Sequence, residues 1–245
     1  SLKTAGLLTA STPAEQAEEA LQKLRDYGWE PESNDLHASL AAFEVAPAVA
    51  VTFANALSRS SVRDALCGFS YAGATVAGAV APLAPAALAG MFATGNGVPP
   101  SGGIQLINNN GKLGAARDFF SMSSNGAVDW NTEGALCLRN LVTGSDAAAK
   151  KLQAGVDETR RNGNLRGKPA IIVHGRNDAL LPVNHTSRPY VALNRKVEGS
   201  GSKLSYVEVT NAQHFDAFLG QTAHDDVGAR DFGAHCCFLS RSIGD

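Results

Sequence analysis

The sequence predicts an α/β fold, and three observations carry that reading. Lys168 and Pro169 are followed by Ala170-Ile171-Ile172-Val173, a β-branched run that reads as a buried strand. A second strand signal, Leu204-Ser205-Tyr206-Val207-Glu208-Val209, lies further on, with Thr186–Asn194 as part of the connector. Each strand runs straight into a short polar segment, His174-Gly175-Arg176-Asn177-Asp178 after the first and Thr210-Asn211-Ala212-Gln213-His214 after the second. In an open α/β sheet, ligands bind at the carboxyl ends of the strands, so Asp178 and His214 are delivered to the edge where chemistry is done.

That pair has a definite use. A serine hydroxyl is a poor nucleophile until an imidazole takes its proton, and the imidazole needs a buried carboxylate to fix its tautomer and stabilise its cation. In α/β-hydrolases the chain order is Ser, then Asp or Glu, then His. Asp178 and His214 occupy the last two places, 36 residues apart (214 minus 178), which fits a helix plus a strand. Taken singly, an Asp is most simply a turn residue and a His a satisfied loop residue; the two strand-plus-residue segments in the right order tip the reading to catalysis. Asp216 is a weaker candidate for the acid, since it does not follow its own strand. The expected architecture is therefore the C-terminal portion of an α/β-hydrolase fold with a mostly helical cap or insertion. Residues 1–110 are the expected helical region, and residues 111–245 the portion carrying the Asp and the His.

Residues 1–66 read as helical. Thr12-Pro13-Ala14-Glu15 is a capping box with proline at the first helical position. Ala17, Leu21 and Leu24 follow at helical spacing, and Gly28 is the expected stop. A second helical stretch is expected after Asn34-Asp35, with Leu36, Leu40 and Phe43 on one face. Pro47 is expected to break or kink it before Val49–Leu57 resumes. No early strands of a hydrolase sheet are legible here.

Gly68-Phe69-Ser70-Tyr71-Ala72 is the nearest approach to a nucleophile elbow, with Ala where G-x-S-x-G has its last glycine. The elbow needs a strand before it and a helix after it, and Arg63–Cys67 is a poor buried strand, so Ser70 reads as a turn or lid residue. Ser123-Ser124-Asn125-Gly126 reads as a turn, because Asn-Gly is a strong turn signal. Residues 94–114 are rich in Gly, Pro and Asn and read as a surface loop around a short strand or turn at Ile104–Ile107. They hold no Gly-Lys-Ser/Thr or GxGxxG after a strand, so a phosphate loop is not indicated. Asp146–Arg161 reads as a helix with Lys150, Lys151, Arg160 and Arg161 on its solvated side.

Composition bounds the alternatives. The net charge of -2 offers no basic patch, which argues against nucleic acid. No run approaches the roughly 20 apolar residues of a membrane span; the most apolar stretch, Ala72–Ala93, is broken by Pro82 and Pro85. Of the four cysteines, Cys67 and Cys137 are able to pair and Cys236-Cys237 are adjacent, but spacing does not decide connectivity. No cysteine or histidine spacing suggests a metal site, and no cofactor is expected. The chain starts at Ser1 without a signal peptide, and reads as a processed product or a fragment.

The segments GNLRGKPAIIVHGRNDALLPVNHTSRPYVALNR from Gly163 and LSYVEVTNAQHFDAF ending at Phe218 resemble the D-(-)-3-hydroxybutyrate oligomer hydrolases, bacterial esterases of poly(3-hydroxybutyrate) breakdown. So do SLKTAGLLTASTPAEQAEEALQKLRDYGWEPESNDLHASLAAFEVAPAVAVTFANALSR and RDFFSMSSNGAVDWNTEGALCLRNLVTGSD. The resemblance implies cleavage of short 3-hydroxybutyrate esters to monomer, with Asp178 and His214 in the catalytic triad. It implies a secreted or periplasmic protein, against the alternative of a cytoplasmic one. It also implies a nucleophilic serine upstream of this region, so that the isolated chain is expected to lack the nucleophile and the missing N-terminal part to be its partner. After Phe218 the sequence is expected to depart from the family pattern. Two other readings remain: a hydrolase-fold serine peptidase, separable by its preference for amides, and a non-catalytic fragment that only packs against a partner chain.

Overall fold

Helix α1, Pro13–Asp26, starts and stops where its own sequence tells it to. The Thr12 hydroxyl accepts from the Glu15 N–H, and the Glu15 carboxylate accepts from the Thr12 N–H, which completes the capping box. At the other end Gly28 takes φ +106°, and the Trp29 N–H reaches back to the Leu24 carbonyl. That is a left-handed terminus for which glycine has no Cβ penalty.

The computed structural model describes residues 1–34, 44–87, 89 and 104–214. They form two units, one of Ser1–Leu8 with Glu44–Arg160 and the other of Thr9–Phe43 with Arg161–Asp245. The expected helix bearing Leu36, Leu40 and Phe43 lies outside the described residues.

In the first unit, α2 runs Val45–Leu57. Pro47 sits in its first turn and does not break it, because the first N–H groups of a helix have no intrahelical acceptor to lose. Glu44 begins it at φ +53° and is buried; its carboxylate accepts from Arg117 Nε at 2.7 Å and from the Phe119 N–H at 2.8 Å. Strands β1 (Phe69–Ala74), β2 (Val80–Ala81), β3 (Ile104–Asn108) and β4 (Ala116–Arg117) make an antiparallel sheet in the order β2-β1-β3-β4. Helices α3 (Thr132–Thr143) and α4 (Ala147–Glu158) follow. Val51, Phe69 and Leu106 form one buried cluster with Leu138 and Tyr71 against it; Ala54, Leu141 and Leu152 form another. Burying each such large side chain contributes roughly 1.5–3 kcal/mol. A Cys67–Cys137 disulfide joins the segment before β1 to α3.

In the second unit, β5 (Ala170–Gly175) and β6 (Leu204–Val209) pair in parallel, in register from Ala170↔Leu204 to Gly175↔Val209. Helix α5, Ser187–Glu198, makes the crossover with Ser187, Val191 and Asn194 buried. Parallel pairing requires such a connection. The expected buried strand is buried on one face only. Ala170, Ile172 and His174 are half-buried, whereas Ile171 is 72% and Val173 65% exposed. The physical reason is alternation: a strand presents successive side chains to opposite faces.

Two expectations about organisation need correction. Residues 1–110 are not simply helical, since β1, β2 and β3 lie within them. The two units also do not divide at residue 110. The sheet was hidden because β1 (FSYAGA) shows no sustained apolar–polar alternation, β2 is two residues long, and the β3 partner of β1 lies tens of residues away.

Candidate active site

The loops that follow β5 and β6 are tied to each other by main-chain bonds. The Arg176 N–H donates to the Val209 carbonyl and the Asn177 N–H to the Ala212 carbonyl, both at 2.9 Å. Gly175 makes this approach feasible, because a Cβ there would sit 2.5 Å from the Ala212 oxygen. Asn211, at φ +59°, turns the second loop back toward the first. Asp178 directly follows Asn177 of this clamp, and His214 lies two residues beyond Ala212.

They meet. His214 Nδ1 lies 3.0 Å from Asp178 Oδ2. The other carboxylate oxygen, Oδ1, accepts from the N–H groups of Leu180 at 2.9 Å and Leu181 at 2.8 Å. Asp178 is 5% exposed, and its carbonyl accepts from the fully buried Ser33 hydroxyl at 3.2 Å. The His214 side chain keeps 34% of its surface open. A buried, main-chain-anchored carboxylate thus holds one nitrogen of a partly open imidazole. Chemically, this arrangement can take a proton from a nearby hydroxyl and return it to a leaving group.

A second histidine, to which the sequence reading assigned no role, stands behind the acid. His174 Nε2 is 3.6 Å from Asp178 Oδ2, and its Nδ1 is 2.7 Å from the Ser187 hydroxyl. Ser187 Oγ lies 2.8 Å from the Tyr206 hydroxyl, which donates to Glu208 Oε1 at 2.7 Å. Arg188 grips Glu208 with two bonds of 2.6 and 2.7 Å and also pairs with Glu30. The Arg188 guanidinium holds the Glu208 carboxyl down at about 2, while burial raises the Tyr206 phenol. The signal that would have found this row is alternation: His174 shares a face with Ala170 and Ile172, and its β6 partner Glu208 shares one with Leu204 and Tyr206.

The serines fare differently. Ser70 lies inside β1, opposite Ile107 of β3, and exchanges hydrogen bonds with the Asn109 side chain. It is therefore not on a strand-to-helix elbow. Ser123 is fully buried and donates to Asp129 Oδ1 at 2.5 Å, while Gly126 at φ +87° bonds back to it in the expected turn. Asp216 lies outside the described residues. Among the described residues, no group of three or more His, Cys, Asp or Glu is arranged to hold a metal ion, and no helix is long and apolar enough to cross a membrane.

An imidazole held by a carboxylate beyond the carboxyl ends of two parallel strands is an arrangement capable of acid–base chemistry. The comparisons name the family. The family model for 3HB-oligomer hydrolase matches residues 1–230. A D-(-)-3-hydroxybutyrate oligomer hydrolase of Paracidovorax citrulli is 66% identical over 91% of this chain and 31% of its own. Relatives of the same description from Ralstonia pickettii and Cupriavidus necator are 60% and 59% identical, over 89% and 88% of this chain and 29% and 30% of theirs. The chain belongs to the 3HB-oligomer hydrolase family, and it spans about a third of the length of the curated relatives it matches. The family match continues past Phe218, where the sequence reading had placed a departure. No solved structure matches.

Proposed function

We propose that this chain supplies the acid–base half of a serine ester hydrolase acting on 3-hydroxybutyrate oligomers. The observation that carries the reading is the 3.0 Å contact between His214 Nδ1 and the buried carboxylate of Asp178. A serine on a part of the protein outside these residues attacks the ester carbonyl, and its proton passes to His214 Nε2. His214 then gives that proton to the departing hydroxybutyrate alkoxide. Water repeats the two transfers on the acyl-enzyme and frees the acid. Asp178 keeps Nδ1–H oriented and stabilises the imidazolium; it stays ionised throughout.

The fold proposed for the second unit is the C-terminal portion of an α/β-hydrolase. The parallel β5–β6 pair with its α5 crossover supports this. So does the exposed apolar face of Ile171, Val173, Val207 and Val209, since parallel sheets are ordinarily covered on both faces. The Cys67–Cys137 disulfide supports a secreted or periplasmic protein, because such bonds persist in oxidising compartments.

The test is hydrolysis of a 3-hydroxybutyrate dimer and of its amide analogue, with fluorophosphonate labelling read by intact mass. The full-length protein should label and cleave the ester, and lose turnover in His214→Ala. This chain alone should not label. Labelling of the chain at Ser70, or cleavage of the amide in preference to the ester, would overturn the reading.

A further inference from the structure

The hydrogen-bond row behind Asp178 has a direction, and the direction has a consequence for His174. Glu208 is ionised and gripped by Arg188, so it accepts only, and the single Tyr206 proton goes to it. The Tyr206 oxygen must then accept from Ser187, whose only proton is thereby spent. Ser187 Oγ is left as an acceptor, and the atom 2.7 Å away is His174 Nδ1, which must carry the proton. His174 Nε2 therefore faces Asp178 Oδ2, at 3.6 Å, either as a lone pair or as a second N–H of the cation. At that separation it is an electrostatic neighbour rather than a hydrogen-bond partner.

We propose that His174 is a positioning residue for the Asp178–His214 pair, its proton locked on Nδ1 by the Arg188–Glu208–Tyr206–Ser187 row, so that Nε2 governs how fully Asp178 is committed to His214. With Nε2 unprotonated, Oδ2 has one N–H to serve, that of His214. With the ring proton on Nε2 instead, that N–H would turn toward the same oxygen and weaken the support His214 receives as it becomes an imidazolium. The charged and titratable groups around His174 are Asp178 and His214 on the loop side, Glu208 and Tyr206 on β6, and Arg188 on α5. Arg176 closes the cluster, within 3.8 Å of Glu30, 3.4 Å of Glu32 and 3.9 Å of Glu208. His174 is 13% exposed at its side chain, so bulk water does not substitute for this row.

This inference rests on the assignment of His214 as the base, and the experiment separates the two. Histidine ring ¹⁵N spectra of the full-length protein at alkaline pH, with His174 assigned through His174→Gln, report the tautomer directly. The expected spectrum has His174 protonated on Nδ1, and Tyr206→Phe or Ser187→Ala moves that proton to Nε2. In kinetics, Tyr206→Phe, which puts the His174 proton on Nε2, should lower kcat on the order of tenfold and leave KM within about twofold. An Nε2-protonated His174 in the parent protein, a tautomer unmoved in both row variants, or an unchanged kcat in a Tyr206→Phe protein whose tautomer has moved would each overturn the proposal. Those results alongside an inactive His214→Ala would leave the base assignment standing; an active His214→Ala would remove that assignment itself.

Discussion

The carboxylate of Asp178 divides its two oxygens between two tasks: Oδ1 is tied to the Leu180 and Leu181 N–H groups, and Oδ2 is given to His214 Nδ1. The division fixes the rotamer of the acid before any substrate arrives. Asn in its place would keep the shape while offering an amide N–H₂ where the imidazole needs an acceptor. Asp178→Asn in the full-length protein should lower kcat by about 10³–10⁴-fold with near-native stability, through the wrong histidine tautomer. Dimer hydrolysis alongside thermal melting checks this; retention of most of the activity would deny Asp178 its role.

Asp118, in the first unit, gives stability a pH dependence of its own. It is 4% exposed, and among the described residues its Oδ1 has no hydrogen-bond partner. Burial, with the nearby Glu44 charge, pushes its carboxyl up to about 7. The folded form then binds more protons than the unfolded chain between about pH 4 and 7, so this group lowers stability as pH rises through that window. Asp118→Asn should raise the urea midpoint at pH 7.5 and change it little at pH 4. Equal effects at both would mean that the carboxyl is not titrating as described.

Cys67 and Cys137 close a loop of 70 residues of separation. On the chain-entropy account such a bridge contributes about 4 kcal/mol, mainly by restricting the unfolded chain. Cys67→Ala with Cys137→Ala should therefore lower the denaturant midpoint of the first unit, and reductant should have no further effect on the double variant. A midpoint insensitive to both would show that the bridge adds nothing.

Gly155 sits in the middle of α4, where alanine would ordinarily favour the helix by about 1 kcal/mol. Here a Cβ would fall 1.9 Å from the Leu57 carbonyl oxygen, on backbone that cannot rotate away. Overpacking of this kind costs about 1–3 kcal/mol or more, so the clash outweighs the propensity. Gly155→Ala should melt at a lower temperature than the parent; a higher one would place α4 further from the end of α2.

Local signals carried through wherever a few neighbouring residues decide the outcome. The capping box at Thr12, the stop at Gly28, the Asn125-Gly126 turn and the helix capped by Asp146 all stand where the sequence puts them. Family membership was likewise legible, because it lies in the order of the residues themselves. The order of strand, Asp178, strand, His214 was enough to nominate a pair, since chain order constrains which strand ends share an edge.

What only the tertiary structure decided is long-range. The antiparallel sheet of β1–β4 depends on pairings such as Phe69 with Asn108, 39 residues apart (108 minus 69), which no local pattern announces. The Cys67–Cys137 bridge was one of several connectivities until α3 came beside the turn before β1. The role of His174 depends on the register of two parallel strands and on a helix that sets Ser187 between them. Sequence distributes hydrogen-bond donors and acceptors along the chain. Only the fold decides which of them point at one another, because each such pair needs placement to within a few tenths of an ångström.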